Sequence, residues 1–203
     1  IASNLHFWRL AQQAKREGAK LVCIDPRRTE TAEKCHEHLQ LLPGTDAALA
    51  LALMHELVRN DWLDHDYIAR HTLGWEALRE RALRWTPERA AQVCGLDAQQ
   101  IRALARDWGT TRPAAIRLNY GMQRVRGGGN AARAIACLPA LTGAWRDPAG
   151  GILLTTADNY HFDHAKLERP DLMPAKRPRV INQSKLGDAL TAAAPPVRAV
   201  IVY

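Results

Sequence analysis

The chain has 203 residues, 47% apolar, 24% charged and 6% aromatic, an ordinary globular composition long enough for one domain with a sizeable appendage. No stretch reaches the ~18 uninterrupted apolar residues of a membrane span; the most apolar run, 47–54, is followed by His55 and Glu56 and reads as a buried helix. The 28 Lys and Arg against 21 Asp and Glu leave +7, but the bases are scattered apart from Arg27-Arg28, Arg124/Arg126 and Lys176-Arg177/Arg179, with no basic stripe and no alternation with aromatics, which argues against nucleic acid as a partner.

Residues 5–17 predict a helix, with Leu5, Trp8 and Ala11 or Gln12 on one face and Gly18 as its stop. The run KLVCI (20–24) is short and continuously apolar, the pattern of a parallel strand covered on both faces, and Asp25-Pro26 ends it. Thr29 can cap a short helix, and 39–42 predicts a second strand. Pro43-Gly44-Thr45-Asp46 then turns into a helix over 47–59, with Thr45 or Asp46 able to cap it. From 64 to 109 only helices are expected, at 64–70, 75–84, 87–93 and 97–108. A third strand is expected at 114–118, then a glycine-rich loop, 121–129, and a helix over 130–141 that Pro139 kinks or frays. From 145 to 196 periodicity fades, with one helix suggested at 185–193, and VRAVIVY (197–203) predicts a final strand. So long an irregular stretch is expected to pack against protein outside this chain. The alternation predicts a three-layer α/β, Rossmann-like domain, a parallel sheet between helices, with a helical insertion over about 64–109.

The cysteines, Cys23, Cys35, Cys94 and Cys137, form no CxxC, so reduced, partly buried thiols are expected instead of a disulfide framework or zinc site. Cys35, His36 and His38 have no recognisable metal-site spacing and are expected at a helix end or in the core. His161, His164 and the other histidines are treated as surface or packing residues. No signal-peptide pattern is present.

Ligands of open parallel sheets sit beyond the carboxyl ends of the strands, where three segments fall. Asp25 stands where a carboxylate can accept from a planar pair of N–H donors such as the edge of guanine. Arg27 and Arg28 suit phosphate oxygens, because guanidinium carries forked donors and a permanent charge. Gly44-Thr45-Asp46 offers backbone N–H groups at a helix start, suited to an anion or a ribose. On the residues alone, plain strand termination and capping stand about level with this reading. The loop 119–129 is neither a Rossmann fingerprint nor a P-loop.

The strings IDPRRTETA, HLQLLPGTDAALALAL, WTPERAAQVCGLDAQQIRALARDW, YGMQRVRGGGNAARAIACLPALTG and PVRAVIVY, in this order, resemble the molybdopterin oxidoreductases of the dimethyl-sulfoxide-reductase family, which includes formate dehydrogenases and nitrate reductases. The resemblance spans nearly the whole chain. It implies a domain that holds the guanosine and phosphates of one half of bis(molybdopterin guanine dinucleotide) with molybdenum, in an enzyme performing two-electron redox on a small-molecule substrate. Carried over residue by residue, Ser3 and Asn4 match a strand-end turn that contacts the dinucleotide, with Ala2 in place of the usual glycine and Leu5 in place of a common proline. Asp25, Pro26, Arg27, Arg28 and Thr29 match one guanosine-holding segment, and Gly44, Thr45 and Asp46 the second. Gln123, with Gly121 before it, matches a glutamine beside the pterin or its phosphates, and Asn119 is a further carry-over. At Cys35-His36 the family more often has Ala-Asp.

The same resemblance implies that a 4Fe-4S cluster and the molybdenum ligand lie upstream of Ile1 and a second pterin-binding domain downstream of Tyr203. The chain is then an internal fragment, inactive alone and with no metal ligand of its own. Its partners would be the remaining domains of the same polypeptide and an iron–sulfur electron-transfer subunit. No direct membrane span and a cytoplasmic location are expected, with the periplasm as the alternative. Two rivals stay open. One is a structural electron-transfer subunit of this fold without molybdenum, as in the large iron–sulfur subunit of respiratory NADH dehydrogenase. The other is the nucleotide-binding middle domain of thiamine-diphosphate enzymes, which explains neither the PGTD turn nor the loop after it.

Overall fold

The computed structural model describes residues 4–154, 161–175 and 179–201. The chain separates into two compact units, 1–156 and 157–203, and every candidate site residue belongs to the first.

The first unit opens with α1 (Leu5–Arg16), started by Asn4, whose side chain accepts from the Phe7 N–H at 3.0 Å. Strand β1 (Val22–Ile24) pairs in parallel with β2 (Glu37–Leu39), in the register Val22 to Glu37 through Ile24 to Leu39. Helix α2 (Glu30–Lys34) joins them, with the Thr29 hydroxyl accepting from Ala32 N–H at 3.3 Å. The second strand was expected at 39–42. It begins two residues earlier, because Leu39 and Leu41 belong to a buried face while His38 and Gln40 alternate to the other side.

Helix α3 (Asp46–Arg59) organises the interior. Ala48, Leu49, Ala50, Ala52, Leu53, Met54 and Leu57 are buried, and small residues at 48, 50 and 52 admit neighbours closely on several sides. Its neighbours are α5 (Trp75–Leu83), α6 (Pro87–Cys94), α7 (Ala98–Thr110) and α8 (Gly128–Leu141), while α4 (His65–His71) packs on α8. The expected helices of 64–109 therefore form within a residue or two of their predicted bounds, and they share one core with α3 and β2. Local chemistry explains their starts. Thr86 caps α6 ahead of Pro87, and Asp97 with Gln100 forms a capping box on α7. Pro139 lies inside α8, close enough to its end at Thr142 that little of the helix ladder is lost.

Strand β3 (Ala115–Arg117) pairs in parallel with β4 (Gly151–Leu153), a strand the sequence did not disclose. The class is thus α/β with parallel strands and packed helices, as expected, but among the described residues the strands form two two-stranded ladders, not one continuous sheet. The expected strand at 197–203 is not formed over 197–201; its last two residues lie outside the described residues.

In the second unit the short helices α9 (His164–Glu168) and α10 (Leu186–Ala192) are present, and nearly all described side chains are exposed, including Phe162, Leu167 and Leu172. The helix suggested at 185–193 corresponds to α10. No helix among the described residues is long and apolar enough to cross a membrane.

Candidate functional site

The segment after β1 is a tightly held loop. The Asp25 N–H extends the ladder to the Leu39 carbonyl at 3.2 Å, and Asp25 Oδ1 accepts from the Arg27 N–H at 2.8 Å. The Thr29 N–H then donates to the Arg27 carbonyl at 2.9 Å. Asp25 is half-buried, while Pro26, Arg27 and Arg28 are exposed. Arg28 faces Glu33 only loosely, at 3.9 Å, so both guanidinium groups keep donors for a ligand. A carboxylate oxygen has two lone pairs, so the bond from Arg27 leaves Asp25 able to accept from a two-donor edge.

The loop is bound to β2 and its continuation. His38 Nε2–H donates to the Asp25 carbonyl at 2.8 Å, and the Gln40 side-chain amide donates to the Pro26 carbonyl at 2.9 Å. Arg28, His36, His38 and Gln40 line a surface cleft of about 380 Å³ beside it.

Gly44 has φ +81°, a conformation that favours glycine in this turn. A Cβ at this position would lie 3.7 Å from the Val125 side chain, so the 43–46 turn sits against the loop after β3. The expectation of a side-chain cap by Thr45 or Asp46 is corrected. Thr45 is the N-cap residue, but its hydroxyl donates backwards to the Leu42 carbonyl at 2.6 Å, and Asp46 is the first residue inside α3. Asp46 is half-buried, and that desolvation raises its carboxyl above the usual range. The helix start is thus not closed by a Thr45 side-chain cap.

The third segment, expected as a loop, contains a 3-10 turn over Tyr120–Arg124, begun by Asn119, whose side chain accepts from the Tyr120 N–H at 2.9 Å. Gly121 and Gln123 lie within it and are exposed. Gly128 opens α8 directly under this turn. A Cβ there would fall 2.3 Å from the Met122 carbonyl oxygen and 2.7 Å from Gln123 Cα, so glycine is required for Gln123 to lie over the helix start.

Asn4 is exposed at the start of α1, and Ser3 lies outside the described residues. The connection between α1 and the β3–β4 ends is Arg117, which sequence reasoning missed. Its guanidinium lies 5.8 Å from the centre of the Phe7 ring and donates to the carbonyls of Leu118, at 2.5 Å, and of Leu153 and Leu154. His38 and Gln40 were also missed as site residues. The readable signal was the alternation His-Leu-Gln-Leu, with polar residues two apart on one strand face.

All four cysteines are free thiols, as expected. Burial, with Cys35 and Asp25 nearby, pushes the Cys23 thiol up to about 11. Cys35, Cys94 and Cys137 are raised by burial too, so none is a primed nucleophile. His36 Nδ1 accepts from the Leu21 N–H at 3.0 Å, which ties a strand start and is not metal chemistry. Among the described residues no three His, Cys, Asp or Glu gather as a metal site.

Comparison with known proteins gives this geometry a family. A family profile described as Molybdopterin oxidoreductase matches residues 2–192. The chain is 36% identical over its full length to a probable oxidoreductase, YoaE, of Bacillus subtilis, and covers 30% of that protein. It is 33% identical to formate dehydrogenase H of Escherichia coli over 68% of this chain and 19% of that protein. It is 35% identical to dimethyl sulfoxide reductase DmsA of Haemophilus influenzae over 65% of this chain and 19% of that one. Among solved structures, acetylene hydratase from Pelobacter acetylenicus superposes with a TM-score of 0.67 at 31% identity, over 70% of this chain and 20% of that chain. The chain therefore spans less than a third of the length of these relatives. It belongs to the molybdopterin oxidoreductase family.

Proposed function

We propose that this chain is the part of a molybdenum oxidoreductase that holds the guanosine and phosphates of a molybdopterin guanine dinucleotide. The observation that carries the reading is the linking of three strand-following segments. His38 and Gln40 fasten the Asp25–Thr29 loop to the strand leading into the Gly44–Asp46 turn, and Gly44 in turn meets Val125 beside the Gln123 turn. The donor set fits such a group. Asp25 offers a carboxylate to a base edge, Arg27 and Arg28 offer cationic forks to phosphates, and the start of α3 favours negative charge. Asp46 and Gln123 stand beside these as acceptor and amide for ribose, phosphate or pterin oxygens.

When bound, the molybdenum and its dithiolenes supply the two-electron chemistry; this chain's residues bind, orient and neutralise charge around the dinucleotide. On this reading the chain does not turn over substrate by itself, and its partners are further domains of the same polypeptide and an iron–sulfur electron-transfer subunit. The relatives' names include formate dehydrogenase, dimethyl sulfoxide reductase and acetylene hydratase, so they do not single out a substrate.

The test is Asp25→Ala in the full-length protein, with guanine nucleotide and molybdenum measured per mole of purified protein. Loss of one charged hydrogen-bond acceptor predicts at least a ten-fold weaker hold, about 1.5–3 kcal/mol, and a clear fall in both contents. Unchanged nucleotide content overturns the role of Asp25. An unaltered protein that carries neither nucleotide nor molybdenum identifies a structural electron-transfer subunit of the same fold.

A further inference from the structure

We propose that His38 and Gln40 are positioning residues, two strand side chains that clamp the backbone of the nucleotide loop so that Asp25 and the arginines keep their arrangement. The inference rests on the nucleotide-holding reading above.

β2 and its continuation alternate strictly. Leu39 and Leu41 are 0% and 2% exposed and anchor the segment in the core. His38 and Gln40 fall on the opposite side, and each donates to a carbonyl of the neighbouring loop, at 2.8 Å to Asp25 and 2.9 Å to Pro26. These two carbonyls stand just beyond the last ladder bond, Asp25 N–H to Leu39, where a strand pair no longer fixes the chain. The next N–H on this edge of the strand belongs to Arg27 and turns back to the Asp25 carboxylate, so side chains supply the attachment that the ladder does not. That bond, at 2.8 Å, fixes the carboxylate. The chain of constraint thus runs from the core, through Leu39 and Leu41, to His38 and Gln40, to the loop carbonyls, and on to the carboxylate. A donor is needed at both positions. Apolar residues of the same size would suit the strand equally but leave the loop free to swing.

The experiment uses the full-length protein with Gln40→Ala, Gln40→Glu and His38→Ala, each alone and combined with Asp25→Ala. Amide hydrogen exchange is followed at Arg27 and Thr29, and bound guanine nucleotide is quantified after acid release. Gln40→Glu keeps the shape but turns a donor into an acceptor, so it tests the clamp even if the alanine variant fails to fold. Loss of one neutral hydrogen bond predicts about five-fold faster exchange at Arg27 and about five-fold weaker nucleotide retention. His38→Gln, which retains an N–H donor, should restore both relative to His38→Ala. With Asp25 already alanine, further removal of His38 or Gln40 should cost less nucleotide than it does in the unaltered protein, because part of the clamp acts through Asp25. Unchanged exchange in Gln40→Glu and His38→Ala overturns the clamp. Faster exchange with full nucleotide retention, while Asp25→Ala loses nucleotide, also overturns it and leaves the nucleotide site standing. Full retention in Asp25→Ala itself shows instead that the role of Asp25 in the underlying reading has failed.

Discussion

Asp46 illustrates how a residue can be placed against its own stability. It opens α3 half-buried, and loss of water around the carboxylate raises its carboxyl above the ordinary range. A carboxyl raised on folding lowers stability above its folded-state pKa, and the cost disappears as pH falls below that value. Asp46→Asn should therefore melt no lower, and at neutral pH higher, than the unaltered protein, while retaining less guanine nucleotide. A lower melting temperature for the asparagine variant would show that the helix start, not the ligand, needs the charge. At this scale the proposed site was legible as residue types, since Asp25, Arg27 and Arg28 bear chemistry that suits a base and phosphates. The partners that orient them were not. His38 and Gln40 are 13 and 14 residues from the carbonyls they hold, and only strand pairing brings them there.

α3 carries the interior, and its composition made that legible. Its run of Ala and Leu admits no polar face, so it must be covered on nearly all sides. Leu57 is fully buried near its C-terminal end. Leu57→Ala should cost about 2–5 kcal/mol by removing transfer energy and leaving a cavity. Chemical denaturation should register this as a lower midpoint without a change in slope; an effect below about 1 kcal/mol would mean the surrounding helices collapse into the space. Helix starts were equally legible, because caps such as Thr86-Pro87 and Asp97 act within one turn. Strands were less so. β4 has three residues and exists because it pairs with β3 across more than thirty positions, which local pattern does not encode. The second strand was displaced from its predicted bounds because 39–42 is the more apolar run, whereas pairing with β1 selected Glu37–Leu39.

For the first unit as a whole, Asp64 is the joint between distant segments. It caps α4 by accepting from the Tyr67 N–H at 2.8 Å, and its second oxygen accepts from Arg146 Nε at 2.8 Å, while its own N–H donates to the Leu141 carbonyl. Arg146 also bonds Asp66 at 2.5 Å. The Tyr67 N–H, then the Arg146 guanidinium, hold the Asp64 carboxyl below its usual value. A carboxyl lowered on folding contributes stability above its unfolded value, about 3.9, and loses it as pH falls through the folded value. Asp64→Ala should cost about 1 kcal/mol at pH 7, the typical worth of an N-cap, and the gap between the two proteins should start to narrow as pH falls below about 4. Melting curves from pH 7 into the acid range check this, and a gap that does not narrow at all with falling pH would assign the loss to packing instead of charge.

The sequence by itself determined the α/β class, the helical stretch between the second and third strands and the buried α3, and it supplied the residue types of the proposed nucleotide site, with strings similar enough to indicate the family. These follow from local causes: apolar periodicity, capping chemistry, and the few side chains able to meet a base or a phosphate. Only the tertiary structure decided that the parallel strands among the described residues form two separate pairs, that Gly44 lies against Val125, and that His38 and Gln40 hold the Asp25 loop. Each of these is a contact between segments remote along the chain, set by which strands and helices bury their faces together, and no local pattern specifies that choice.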